Sequence, residues 1–183
     1  MPLAAGEAFF APQVIMSYSS EGFTGLTHQY HDLIREHICR GAYKHAKRPV
    51  LINNWEATYF DFDKEKIVKI AQQAHELGIE MLVMDDGWFG KRNDSSSSLG
   101  DWYVNENKLK GGLSSLIKRV NAAGLKFGIW YEPEMVSPDS DLYRAHPDWC
   151  IHTEGRAQSL ARSQYMLDMS RPEVRDNVFE QMY

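Results

Sequence analysis

Only two cysteines, Cys39 and Cys150, occur among the 183 residues. They stand far apart in unlike surroundings, which leaves no disulfide framework and no cysteine pair spaced for zinc. No stretch approaches the roughly 18 consecutive apolar residues that read as a membrane span. Met1 to Ala11 lacks both the basic start and the apolar run of a signal peptide. Basic residues are in the minority: 20 Lys and Arg against 25 Asp and Glu give a formal charge of -5. With no basic stripe, neither nucleic acid nor an anionic membrane surface is expected as a partner. The glycine-rich phosphate turns GxGxxG and GxxxxGK[ST] are missing as well. His28, His31 and His37 lie close together but have no acid or cysteine at matching spacing, so no metal site is expected. These absences point to a cytoplasmic protein of a reducing compartment that needs no metal and no cofactor.

What the chain does have is an alternation. Phe9 to Ser19 carries an apolar, β-branched run (Val14, Ile15, Met16) and reads as a strand foreign to the domain after it, with residues 1–23 as the trailing part of another domain. Leu26, Tyr30, Leu33, Ile34 and Ile38 recur at helical spacing, which predicts a linker helix within 24–46. From 47 to 183 the pattern becomes strand, helix, strand, helix. Strands are expected at 49–54, 81–84, 126–131 and 165–169. The helices between them are closed by Gly78 and Gly124, and Asp61 or Asp63 caps the first. Ser170 and Glu173 form a capping-box pattern ahead of the last helix. Met81 to Met84, four apolar residues in a row, reads as a strand covered on both faces. Units of this kind repeat in α/β folds, either a doubly wound sheet or a (β/α)8 barrel, and both place ligands at the carboxyl ends of the strands.

Those strand ends collect carboxylates beside aromatic rings: Trp55-Glu56, Asp85-Asp86-Gly87-Trp88 and Trp130-Tyr131-Glu132. Flat apolar faces next to hydroxyl-binding oxygens suit a sugar. Two adjacent acids cannot both be buried unpaired, because an isolated buried charge is very costly. One plain account has one aspartate capping the turn while the other pairs with a lysine or arginine. The other account has both gripping substrate hydroxyls. Arg162, ahead of the last strand, fits a surface ion pair or a site residue, and Trp130 fits a plug in the sheet or a wall of the site.

Six segments carry a resemblance. They are Leu-Ile-Asn-Asn-Trp-Glu-Ala-Thr-Tyr-Phe (51–60), Asp-Asp-Gly-Trp-Phe-Gly (85–90), Leu-Gly-Asp-Trp (99–102), Phe-Gly-Ile-Trp-Tyr-Glu-Pro-Glu-Met-Val (127–136), His-Pro-Asp-Trp (146–149) and Arg-Ser-Gln-Tyr-Met-Leu-Asp-Met-Ser-Arg-Pro-Glu-Val (162–174). In this order they resemble the α-galactosidases of glycoside hydrolase family 36. The resemblance implies an α/β fold, a partial (β/α)8 TIM barrel of about four βα units preceded by the end of a β-sandwich domain. It implies retaining cleavage of terminal α-1,6-galactose from melibiose- or raffinose-type sugars, by a homo-oligomer, often a tetramer. It gives Asp85 and Asp86 to galactose hydroxyls, Trp130 to the pocket wall, Arg162 to a substrate-side hydrogen bond and Trp55 to the leaving-group side. The family's nucleophile motif, Lys-Trp-Asp-Met-Asn, has no counterpart up to Tyr183. No catalytic residue is therefore named, and these residues alone are expected to bind without turnover. A galactose-binding module, a galactosyl transferase and an α-N-acetylgalactosaminidase are the alternatives.

Overall fold

The computed structural model describes residues 3–158 and 160–183. The chain divides between Arg48 and Pro49 into two compact units.

The first unit is built on α1, Gly22–Leu33, continued by a π-helical turn at Ile34–Ile38. Its start lies four residues ahead of the predicted Leu26, with Gly22 and Gly25 both inside the helix. No residue of α1 is buried. The strand expected within 9–19 does not form. A strand exists through its ladder, and among the described residues none pairs with this segment. Tyr30 Oη donates to the Ile15 carbonyl at 3.1 Å, and the Ser17 hydroxyl donates to Gln29, tying the run to α1 instead.

The second unit begins with a parallel sheet. Strands β1 (Leu51–Asn53), β2 (Met81–Met84) and β3 (Lys126–Ile129) pair in the order β1-β2-β3, with Asn53 opposite Val83 and Met84 opposite Ile129. A one-turn helix, α2 (Trp55–Thr58), leaves β1. Helix α3 (Lys64–Glu76) comes next, capped by the Asp63 side chain on the Lys66 N–H at 2.8 Å. Helix α4 (Gly112–Ala122) precedes β3. Ile67, Val68, Ala71 and Ala74 of α3 and Leu116 and Val120 of α4 face the sheet and are buried with Leu82 and Met84.

The structure corrects two expectations about the strands. The first concerns β2, which is covered on one face only. Leu82 and Met84 are fully buried under the helices, whereas Met81 and Val83 on the opposite face are half-buried. A short apolar run has no period that distinguishes one covered face from two. The second concerns the fourth βα strand. Residues 165–169 supply only β5 (Tyr165–Met166), and β5 pairs antiparallel with β4 (Met135–Val136) in a separate small sheet. The parallel sheet therefore has three strands, not four. Leu167 N–H donates to the Glu134 carbonyl at 2.9 Å, so the segment spends its ladder groups on 134–136.

Helix α5 (Asp141–Ala145), a 3-10 turn (Pro147–Trp149) and α6 (Pro172–Met182) complete the unit around a second cluster of Val136, Trp149, Cys150, Leu167, Val174 and Val178. The capping box ahead of α6 is also absent. Arg171 is the N-cap with no side-chain cap, because the Ser170 hydroxyl donates to Asp168 at 2.6 Å and the Glu173 carboxylate takes Arg171.

Candidate functional site

Strand register assembles the site. Asn53 of β1, Val83 of β2 and Gly128 of β3 lie side by side, so the residues just beyond them emerge together at the carboxyl end of the sheet. Trp130 N–H donates to the Met84 carbonyl at 2.8 Å, which sets Trp130 beside Asp85. The Asn54 side chain accepts the Asp85 N–H at 2.8 Å, and Asn53 Nδ2 donates to the Asp85 carboxylate. Asn53 Oδ1 also accepts the Trp55 N–H at 2.7 Å. Trp55, Asp85 and Trp130 thus share one end of one sheet.

The two aspartates part company. Asp85 continues the half-open face of β2 and remains partly exposed. Asp86 is 4% exposed and receives a forked grip from Arg92, which is fully buried: Nε lies 3.0 Å from Oδ1 and Nη2 lies 2.9 Å from Oδ2. Such a two-point guanidinium–carboxylate pair fixes orientation as well as charge. Arg92 Nη1 donates to the Ser97 carbonyl at 2.8 Å, and its guanidinium lies over the Phe60 ring at 5.8 Å. Lys108 Nζ then donates to the carbonyls of Phe60, Gly87 and Arg92 at 2.9 to 3.2 Å, pinning three loops to one ammonium. Burial pulls the Lys108 pKa down, opposed by the charges of Asp86 and Asp61. Gly87 has φ +100°, and a Cβ there would stand 3.0 Å from the Phe60 ring, so the turn after the aspartates requires glycine.

An aromatic stack backs this cluster. Phe89 lies 4.3 Å from Trp102 and stacks on Trp130 at 6.4 Å, and Trp88 Nε1 donates to the Trp130 carbonyl at 3.0 Å. Trp130 is half-buried, with its backbone and one face committed to the protein. The Leu-Gly-Asp-Trp segment contributes Asp101, which is buried and accepts the N–H groups of Asp141 and Leu142 at the start of α5. Burial raises the Asp101 pKa, and those two bonds oppose the shift.

Arg162 is not among the residues that the strand register brings together. It is exposed on the hairpin turn that leads into β5, and its charge acts on Glu132, just beyond β3. Burial raises the Glu132 pKa. The charges of Arg162 and Arg92 oppose that shift, and those of Glu134 and Asp86 add to it. A carboxyl raised in the fold contributes stability that is complete below its unfolded pKa and is lost as pH rises through its folded pKa. Glu132→Gln is therefore expected to unfold at a higher denaturant concentration than the wild type at pH 7. The difference should vanish below about pH 4, near the unperturbed value of a glutamate. Equal midpoints at both pH values would refute the placement of Glu132.

Sequence reasoning missed Arg92, Lys108 and Asp101 as parts of the site, and it gave Glu132 a place at a strand end but no role. Arg92 sits in a serine-rich stretch that reads as a solvated loop, and nothing local marks it as buried. A polar hollow of about 480 Å³ lined by Tyr143, Asp148, Cys150, His152 and Asp168 contains none of the five residues expected to bind substrate.

The fold and this geometry define a class: an α/β protein of parallel βα units whose strand ends present a partly exposed carboxylate, a locked carboxylate and an indole. Within that class the chain belongs to the Melibiase family, which matches residues 8–183. It is 61% identical over 181 residues to the bifunctional alpha-galactosidase/sucrose kinase AgaSK of Mediterraneibacter gnavus, covering 99% of this chain and 19% of that one. It is 57% identical over 178 residues to alpha-galactosidase AgaA of Geobacillus stearothermophilus, covering 97% and 24%. A crystal structure of a substituted GH36 alpha-galactosidase AgaA from the same organism, in complex with raffinose, superposes with a TM-score of 0.83 at 57% identity, over 86% of this chain and 22% of that one. The chain thus spans about a fifth to a quarter of the length of these curated relatives.

Proposed function

We propose that the protein carrying this chain is a retaining α-galactosidase acting on terminal α-1,6-galactose of melibiose- or raffinose-type sugars. Residues 47–183 would form the first part of a (β/α)8 barrel, 24–46 a linker helix and 1–23 the trailing edge of a β-sandwich domain. The observation that carries this reading is Asp85: a partly exposed carboxylate, oriented by Asn53 and Asn54, at the level of Trp130. A galactose ring laid on the indole would present hydroxyls to Asp85, with Asp86 held by Arg92 at the edge of the same patch. Arg162 would donate from the substrate side, and Trp55 would flank the leaving group. The relatives' names and the raffinose complex support the substrate class. The setting proposed is the cytoplasm, where the two free thiols would persist, with a homo-oligomer as the assembled form. No helix among the described residues is long and apolar enough to cross a membrane.

A second reading rests on a specific feature. Asp86 is consumed by Arg92, so Asp85 and Asp86 do not offer two free carboxyl groups, whereas retaining hydrolysis takes a pair roughly 5 Å apart. Residues 1–183 by themselves are accordingly proposed to bind galactose without cleaving it.

Titration of galactose into the intact protein, monitored by calorimetry, tests the main reading. Loss of a charge-assisted hydrogen bond is worth roughly 1.5–3 kcal/mol, so Asp85→Ala should weaken binding by about 10- to 150-fold. Unchanged affinity in that variant would remove Asp85 from the site. An aryl α-galactoside left uncleaved by the intact wild type would remove the activity.

A further inference from the structure

Two consecutive amides, Asn53 and Asn54, tie the end of β2 to the one-turn helix α2. Asn54 is fully buried. Its Oδ1 accepts the Asp85 N–H at 2.8 Å, and its Nδ2 donates to the hydroxyl of Thr58, the last residue of α2, at 2.8 Å. Asn53 is exposed and makes the same kind of bridge one residue earlier. Its Nδ2 donates to the Asp85 carboxylate, and its Oδ1 accepts the N–H of Trp55, the first residue of α2, at 2.7 Å. The buried amide thus joins backbone to helix. The exposed one joins the Asp85 carboxylate itself to the residue placed at the leaving group.

The Asn53 amide satisfies both partners in one orientation only. A carboxylate accepts and a backbone N–H donates, so a flipped amide would set oxygen against oxygen and N–H against N–H. Asp85 Oδ1 takes the Asp86 N–H at 2.7 Å and Oδ2 takes Asn53, so each oxygen has a protein donor and keeps capacity for a hydroxyl. These two donors set the plane of the carboxylate. On the other side, the Trp55 ring meets Tyr59 and Phe60 edge to face at 5.2 and 5.0 Å, and Phe60 lies under the guanidinium that holds Asp86. Resting on the galactose-binding reading above, we propose that Asn53 is a positioning residue that couples the two ends of the site. One planar amide sets the Asp85 carboxylate for the galactose and the first turn of α2, with Trp55, for the leaving group. Asn53 does not touch the sugar in this arrangement, and its effects pass through Asp85 and Trp55.

Two ligands and two variants of the intact protein test this. Free galactose has no leaving group and reads the Asp85 end alone, by calorimetry. Melibiose carries a leaving group and reads both ends, by kcat/KM. Asn53→Asp keeps an oxygen for the Trp55 N–H but sets a carboxylate against Asp85 in place of a donor. It should weaken galactose binding and lower kcat/KM for melibiose by the same factor, about tenfold. Asn53→Ala removes both bonds, so its loss on melibiose should exceed its loss on galactose by about fivefold. That excess should disappear in a Trp55→Ala background, and in an Asp85→Ala background Asn53→Asp should change galactose affinity less than about twofold. Asn53 is exposed and Asn54 still holds the backbone, so neither variant removes a core contact. Equal losses on the two ligands in Asn53→Ala, unchanged galactose affinity in Asn53→Asp, or a loss that persists in the Asp85→Ala background overturns the inference alone. A wild type that neither binds galactose nor cleaves melibiose overturns the functional reading and this inference together.

Discussion

Arg92→Met is expected to lower the stability of the protein by about 3–5 kcal/mol, the usual result of stripping one partner from a buried ion pair. The substitution strands Asp86, 4% exposed, without the guanidinium that satisfies both of its oxygens. It also frees the Ser97 carbonyl and removes the cation over Phe60. A loss of this size is a large share of the roughly 5–15 kcal/mol that hold a domain together. A further outcome separates this cause from lost packing. The double variant Asp86→Leu with Arg92→Met should be more stable than Arg92→Met alone, since replacing both partners removes the uncompensated charge. Urea denaturation midpoints read both. If Arg92→Met lies within about 1 kcal/mol of the wild type, the pair does not hold the strand-end loops together.

Phe89→Ala carries the second large effect, about 3–5 kcal/mol for removing a fully buried phenyl ring. Phe89 has no exposed surface and touches Trp88, Trp102 and Trp130, with ring centroids 4.3 to 6.4 Å away. Its loss leaves a cavity behind Trp130, so the indole proposed to carry the sugar is no longer backed on that side. Galactose affinity should fall together with stability. Tyr131, which rests on Trp102 at 4.0 Å and donates to the Gln181 carbonyl, keeps its own support. Phe89→Leu, which fills most of the volume, should restore most of the stability and less of the affinity, because a branched alkyl group does not stack on an indole. Denaturation paired with galactose titration distinguishes the two readouts. A variant that loses stability and keeps full affinity would show that Trp130 does not depend on Phe89.

How much of the fold and site is legible in the sequence differs from residue to residue. The strand at Met81–Met84, the helix capped by Asp63 and the parallel rhythm up to Ile129 come from spacing within about a dozen residues. So does the emergence of Asp85 and Trp130 at a strand end. The doublet Asp85-Asp86 stands out because two adjacent acids demand partners, and the plain account of it, one aspartate paired with an arginine, is what the structure shows for Asp86. Which arginine is not legible. Arg92 lies in a stretch that ends in four serines and reads as solvated, yet Ser98 is buried and its N–H donates to the Asp139 carbonyl at 2.7 Å. Nor is the fate of residues 165–169 legible, since an extended run looks the same whether it joins a parallel sheet or pairs with β4.

By itself the sequence determined the local periods and stops, the supply of carboxylates and aromatic rings at strand ends, and membership of a recognisable family. Only the tertiary structure decided that the parallel sheet has three strands, that Asp86 is locked by Arg92 while Asp85 stays partly exposed, and that Glu132 is left with a buried oxygen unpartnered. The reason is physical. Side-chain direction repeats every two or 3.6 residues and is settled by near neighbours. The partner of a ladder or a buried charge is chosen among groups tens of residues away, and that choice exists only once the chain has closed on itself.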